Sequence, residues 1–173
     1  TDKADGNESA TLDFDKARLK IELKGSQVNH AFYFRNFLTK AESNDLVHEI
    51  SKQAWTQLTN RKLQNWGGVP HQSGTILEPL PDFLKKVSTK LKNSGVFSEL
   101  PNQALVNEYE PGIGIDFHKD GPNFKDTAAI ISLLSTCVIH FQDPGTGKIV
   151  ASVLLEPGSL MVFRKKVFTD LKH

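Results

Sequence analysis

From Ala104 onward the chain changes texture, and that change limits what it can fold into. ALVNEY, IGIDFHKD, AAIISLL, CVIHFQD, IVASVLLE and SLMVFR are short apolar segments with the residue types of β-strands. EPG, DPGTG and EPGS lie between them and read as tight turns. Closely spaced short strands joined this way predict antiparallel pairing in a sandwich or open barrel.

The first half reads differently. AFYFRNFL (Ala31–Leu38) is aromatic and strand-like. Thr39 followed by Glu42 is a capping-box signature, and Leu46, Val47 and Ile50 follow on one helical face, so a helix is expected over 40–53. LPDFLKKVSTKLKNSG predicts a second helix, with Phe83, Leu84, Val87 and Leu91 inward and Gly95 as its stop. Lys85, Lys86, Lys90 and Lys92 decorate it and read as a solvated face. Between the helices, WTQLTNRKLQNWGGVPHQSG reads as a short strand or hairpin followed by an irregular loop. Residues 1–25 are polar and charged and are expected to be a flexible segment ahead of one domain over 26–173. Within them, DFDKARLKIELK fits either a short helix or an edge strand. The fold class is α+β.

A chain of 173 residues with 38% hydrophobic content suits one domain with a real core. Its net charge of +1 makes no global claim on nucleic acid, so such a surface would be a local patch. Cys137 is the only cysteine, which excludes an intrachain disulfide and points to a reducing compartment. It reads as a buried small apolar residue. No apolar run is long enough for a membrane span, so no membrane partner is expected.

The stretch LVNEYEPGIGIDFHKDGP (Leu105–Pro122) carries the chemistry. On a strand, Ile113, Ile115 and Phe117 would share one face, and Asp116, His118 and Asp120 the other. His118 and Asp120 could then point at one metal. Asn107 and Tyr109 share a face upstream and could hydrogen-bond a small acid at the same centre. Imidazole plus carboxylate suits Fe(II), Mn(II) or Zn(II). Two histidines and a carboxylate on one face of Fe(II) leave positions open, and His173 is the later histidine. A bare His-x-Asp is also common by chance. His140 lacks a carboxylate two residues on, His71 lies in the expected loop, and His30 and His48 read as ordinary positions.

The order Asn107-x-Tyr109, Pro111-Gly112, His118-x-Asp120 and a late histidine resembles the AlkB family of Fe(II)- and 2-oxoglutarate-dependent dioxygenases. The blocks WTQLTNRKLQNWGGVPH, LVNEYEPGIGIDFHKDGP and LLEPGSLMVF resemble its sixth-homologue subgroup in particular. The resemblance implies a double-stranded β-helix, a jelly-roll core with the N-terminal helices packed on it. It implies His118, Asp120 and His173 as iron ligands and catalytic residues, and Asn107 and Tyr109 as 2-oxoglutarate contacts. It implies a substrate lid over 55–74, with Arg61, Lys62 and Trp66 as nucleic-acid contacts. The competing reading of those three is a packed lid with solvated basic tips.

The implied activity is oxidative demethylation or dealkylation of DNA or RNA, with O₂ and 2-oxoglutarate consumed and the base single-stranded or flipped. A protein hydroxylase or demethylase, or a non-catalytic nucleic-acid or protein binding module, are the alternatives. A cytoplasmic and nuclear monomer is expected. Family members carry arginines beyond the last iron histidine, one of which pairs with the distal carboxylate of 2-oxoglutarate. This chain ends at His173, so the expectation is a fragment lacking the final strands, or a short form with weaker cosubstrate binding. Arg164 does not match that motif; turnover without the downstream arginines would require Arg164 or a lysine to stand in.

Overall fold

A computed structural model describes residues 11–173, apart from Lys24, Gln72 and Ser73. In chain order the elements are β1 (Ile21–Leu23), β2 (Ser26–Val28), β3 (Ala31–Phe34), α1 (Lys40–Ser51), β4 (Thr56–Gln57) and β5 (Lys62–Trp66). Then come β6 (Gly68–His71), β7 (Gly74–Leu77), α2 (Asp82–Asn93), β8 (Ala104–Glu108) and β9 (Thr127–Ile131). β10 (Cys137–Gln142), β11 (Ile149–Leu155), β12 (Leu160–Arg164) and α3 (Lys166–Asp170) complete the chain. Every strand pair is antiparallel.

The centre is the sheet β3-β12-β9, with β12 in the middle. Its side chains alternate between two apolar clusters, as the period of a strand requires. Met161 and Phe163 enter one cluster, and Leu160 and Val162 the other. The partners follow the same alternation. Ala31 and Phe32 on β3 face opposite sides, as do Ala128 and Ala129 on β9.

Against the first face pack the hairpin β10-β11, through Ile139, Phe141 and Leu155, and the α3 residues Val167 and Phe168. That is the sandwich, a jelly-roll type of arrangement. Against the second face pack the two long helices, through Leu46 and Ile50 of α1 and Leu84 and Leu91 of α2. The result is helices, sheet and second sheet in three layers.

Local chemistry explains the elements. Thr39 caps α1: its hydroxyl accepts from the Glu42 amide, and the Glu42 carboxylate accepts from the Thr39 amide at 2.7 Å. Both bonds of the expected capping box are present, and they stop the first turn from leaving donors unpaired. Helix α2 buries Leu84 and Leu91, with Phe83 and Val87 against the same cluster; Lys85, Lys86 and Lys92 lie outward as expected, but Lys90 is packed over Phe37. Lys90 pairs with Glu42 of α1.

Four expectations are corrected. The irregular loop read into Gly-Gly-x-Pro is the hairpin β6-β7, which follows β5 directly. IGIDFHKD forms no strand. Cys137 is exposed although it shares a face with Ile139 and Phe141, because it is the first residue of β10 and lies beyond the covered part of that face. Part of the segment expected to be flexible belongs to the core: Ile21 on β1 is fully buried. Residues 1–10 lie outside the described residues. Helix α3 is an element that the sequence reading did not anticipate. Among the described residues, no helix is long and apolar enough to cross a membrane.

Gly67 joins β5 to β6 with φ of 91°, and a Cβ there would sit 1.9 Å from the Asn102 carbonyl oxygen. Gly112 has a similar φ of 81° but open space around it. Gly67→Ala should therefore lose about 3 kcal/mol of unfolding free energy, adding a steric clash to backbone strain. Gly112→Ala should lose only about 1 kcal/mol, from strain alone. Urea denaturation of both variants checks the contrast.

Candidate metal centre and cosubstrate strand

His118, Asp120 and His173 come together. One potential ligand atom from each lies within 4.8 Å of the others. His118 and Asp120 converge as expected, but not through strand alternation, because residues 109–126 form no strand. Tertiary contacts set their geometry instead.

The first contact is between the two histidines' own backbones. The His118 amide donates to the His173 carbonyl at 3.1 Å, and the His173 amide donates to the His118 carbonyl at 2.9 Å. This reciprocal pair has the pattern of one antiparallel rung. It holds the imidazoles side by side, with ring centroids 4.6 Å apart. Just before it, Gln142 and Lys172 exchange a similar pair, which fastens the end of the chain to β10. Lys119, between the candidate ligands, donates from Nζ to the Thr169 carbonyl on α3 at 2.7 Å. Further upstream, Asn60 donates from Nδ2 to the Gly114 carbonyl at 3.1 Å.

The His118 ring is oriented by its other nitrogen. Nδ1 lies 2.9 Å from the Asp116 carbonyl, which can only accept, so Nδ1 carries the proton. Nε2 is then the free lone pair, as a metal-ligating histidine requires. His173 rests on Phe163, with ring centroids 4.8 Å apart, and its side chain is 12% exposed. Its Nε2 stands 4.0 Å from an Asp120 carboxylate oxygen.

Two imidazoles and a carboxylate fit Fe(II) in ligand type. Adjacent donors on one ion with bonds of about 2.1 Å would stand about 3 Å apart, and His173 Nε2 and Asp120 Oδ1 stand 4.0 Å apart.

Burial holds the His173 imidazole below its ordinary range; the Asp120 carboxylate pulls the other way, and His118 adds to the lowering. A neutral ring is the form that binds metal. The unfolded chain takes up its proton near the ordinary value of 6.5, and the folded chain only at lower pH. Between those values the unfolded state binds more protons, so stability falls as pH drops through that window. The melting temperature of the metal-free protein should decline from about pH 7.5 to 5.5, and His173→Gln should flatten the decline. A residual slope is expected from His30, which burial and nearby Lys165 and Arg164 also hold low.

Asn107 and Tyr109 behave as the cosubstrate reading expects in one respect. Both are exposed on the same side, Asn107 on β8 and Tyr109 just past its end. Burial of part of the Tyr109 ring pushes its phenol above its usual value, which keeps it a donor at neutral pH.

The three residues considered for nucleic-acid contact are engaged within the protein. Trp66 turns toward the helix-side cluster, edge-on to Phe83 at 5.8 Å, and its indole donates to Gln64 Oε1 at 3.3 Å. Lys62 pairs with Glu108 across β5 and β8 at 2.8 Å. Arg61 donates to Asn60 and Asn107. His71's side chain lies outside what the structure describes, and His140 is exposed and bonded to Ser152 at 2.8 Å.

Arg164 cannot stand in as a cosubstrate cation. It follows Phe163 on β12 and so points to the opposite face. Its guanidinium lies over Phe14 and Phe32, at 5.2 and 4.9 Å. Asn60, Lys119 and Phe163 support the site and were missed. Each acts through a contact between distant segments, and no local spacing marks them.

Comparison with known proteins agrees with this geometry. A model of the 2OG-Fe(II) oxygenase superfamily matches residues 47–167. The chain is 32% identical over 157 residues to a protein of Danio rerio named "Probable RNA/DNA demethylase ALKBH6", covering 82% of this chain and 67% of that one. It is 32% identical over 113 residues to the Mus musculus "tRNA (carboxymethyluridine(34)-5-O)-methyltransferase ALKBH8", covering 61% of this chain but only 17% of that protein. The solved structure of OsALKBH1 superposes with a TM-score of 0.66 at 14% identity, covering 83% of both chains, which supports the fold. The chain belongs to the 2OG-Fe(II) oxygenase superfamily and, within it, to the AlkB family, and is a dioxygenase that works with Fe(II), 2-oxoglutarate and O₂.

Proposed function

We propose that this dioxygenase removes alkyl groups oxidatively from nucleic acid, with His118, Asp120 and His173 holding the iron. The convergence of those three side chains within 4.8 Å carries the reading. Fe(II), when bound, supplies activation of O₂ coupled to oxidative decarboxylation of 2-oxoglutarate to succinate.

The protein's own part is positional. Three ligands grouped on one side leave room opposite for cosubstrate and O₂. The Asp116 carbonyl fixes which nitrogen His118 offers. Phe163 and the reciprocal backbone bonds hold His173 in place. Asn107 and Tyr109 supply an amide and a phenol that donate to a carboxylate of 2-oxoglutarate. A methyl carbon on a base nitrogen is the group that would be oxidised; its hydroxylated form releases formaldehyde. The base has to reach the site unpaired or flipped.

Nucleic acid as the substrate is supported by the relatives. One is named an RNA/DNA demethylase and another acts on tRNA. Arg61, Lys62 and Trp66 add less support, since each has a partner within the fold. That loss of a free basic lid favours keeping a protein hydroxylase or demethylase as the second reading.

The test is succinate and formaldehyde formation with Fe(II) and 2-oxoglutarate. N-methylated single-stranded DNA, single-stranded RNA and peptides are supplied in parallel. Methylated oligonucleotides should stimulate turnover, and Asp120→Ala should abolish it. Stimulation by peptides alone would reverse the order of the two readings. Metal binding with no turnover on any substrate would favour a binding module.

A further inference from the structure

Arg61 lies just ahead of β5. The register sets Leu63 opposite Asn107, so Arg61 is the diagonal neighbour of Asn107 on the same face. Its guanidinium donates in two directions: Nε to Asn107 Oδ1 at 3.0 Å, and Nη1 to Asn60 Oδ1 at 3.1 Å.

A guanidinium has donors only, so each amide must turn its oxygen toward Arg61 and its nitrogen away. Asn60 shows the consequence. Its Nδ2 donates to the Gly114 carbonyl, on the segment that runs into His118 and Asp120. Asn107 is exposed, and its Nδ2 has no partner among the described residues. It is turned outward, ready to donate to an anion. One side chain therefore orients two amides, one on the cosubstrate strand and one against the metal-bearing loop.

We propose that Arg61 is a positioning residue, which aims the Asn107 amide at a 2-oxoglutarate carboxylate and, through Asn60, ties β8 to the loop carrying His118 and Asp120. This rests on the site reading above. It differs from a substrate contact in what the two observed bonds do: both Nε and Nη1 donate to amides inside the protein. It also differs from a simple cationic anchor. A lysine would keep the charge but could not reproduce two bonds in fixed directions.

Calorimetric titration tests it. Mn(II) is titrated into the metal-free chain, and 2-oxoglutarate into the Mn(II)-loaded chain. The variants are Arg61→Lys, Asn60→Ala and the pair, with Asp120→Ala as the metal blank and thermal melts as the folding control. Arg61→Lys and Asn60→Ala should each weaken 2-oxoglutarate binding about tenfold, the scale of a lost charge-assisted hydrogen bond. The double variant should be little worse than either single one, because the same chain of bonds is broken once. Wild-type affinity in Arg61→Lys would overturn the proposal. So would a double variant weaker by about a hundredfold, the product of independent effects. If wild-type protein binds no Mn(II), the site reading falls and this proposal with it. If Arg61→Lys, Asn60→Ala and the pair bind both ligands as wild type does while Asp120→Ala loses Mn(II), only this proposal falls.

Discussion

The structure depends on β12 being buried on both of its faces. Leu160, Met161, Val162 and Phe163 are at most 1% exposed. A strand with neighbours on both edges and both faces has its register closely specified, since a one-residue slip would exchange its two apolar sets. Everything else is placed relative to it. The helices cover one face and the second sheet the other. Phe163, at the end of the inward set, is also the surface on which His173 rests. The site is therefore seated on the core. The next residue, Arg164, is sent by the same alternation to the far side, where two phenylalanine rings take its charge.

The elements most legible in the sequence were those whose cause is local. The capping box at Thr39 and Glu42 names the start of α1 because both of its bonds join residues three apart. The apolar spacing of α2 and the turns between the late strands are of the same kind. The hairpin β6-β7 was lost because Gly-Gly-x-Pro reads as a break. Gly67 is present for a different reason, the close approach of the Asn102 backbone. No local pattern shows a contact from across the chain. Cys137 was misplaced for a similar reason. Its residue type suits the interior and it shares a face with Ile139 and Phe141, but it stands at the strand's first position, where the cover of that face has ended.

The candidate site shows the same division. His118 and Asp120 were marked by spacing and His173 by the need for a second imidazole, and these three converge; Asn107 and Tyr109 were singled out by a shared face and by the resemblance. The contacts that orient them were not found. Asn60, Arg61, Lys119 and Phe163 reach the site from a turn, a strand start, the metal loop itself and the core. Arg61 and Lys62 looked like free cations because a sequence shows charges without their partners. In the fold Lys62 faces Glu108, and its charge is raised in persistence by that bond.

That the metal-bearing segment is a loop has a chemical consequence. His173 Nε2 and Asp120 Oδ1 stand 4.0 Å apart, wider than the roughly 3 Å between adjacent donors on one ion. On a strand, drawing Asp120 inward would disturb ladder bonds on both sides of it. On a loop the adjustment falls on backbone torsions that carry no ladder. The reciprocal bonds between His118 and His173 keep the two imidazoles paired while it happens. Asp120, two residues further on, lies outside that rung. The arrangement uses two kinds of support: the histidines are fixed by backbone and core, and the carboxylate is carried on a loop.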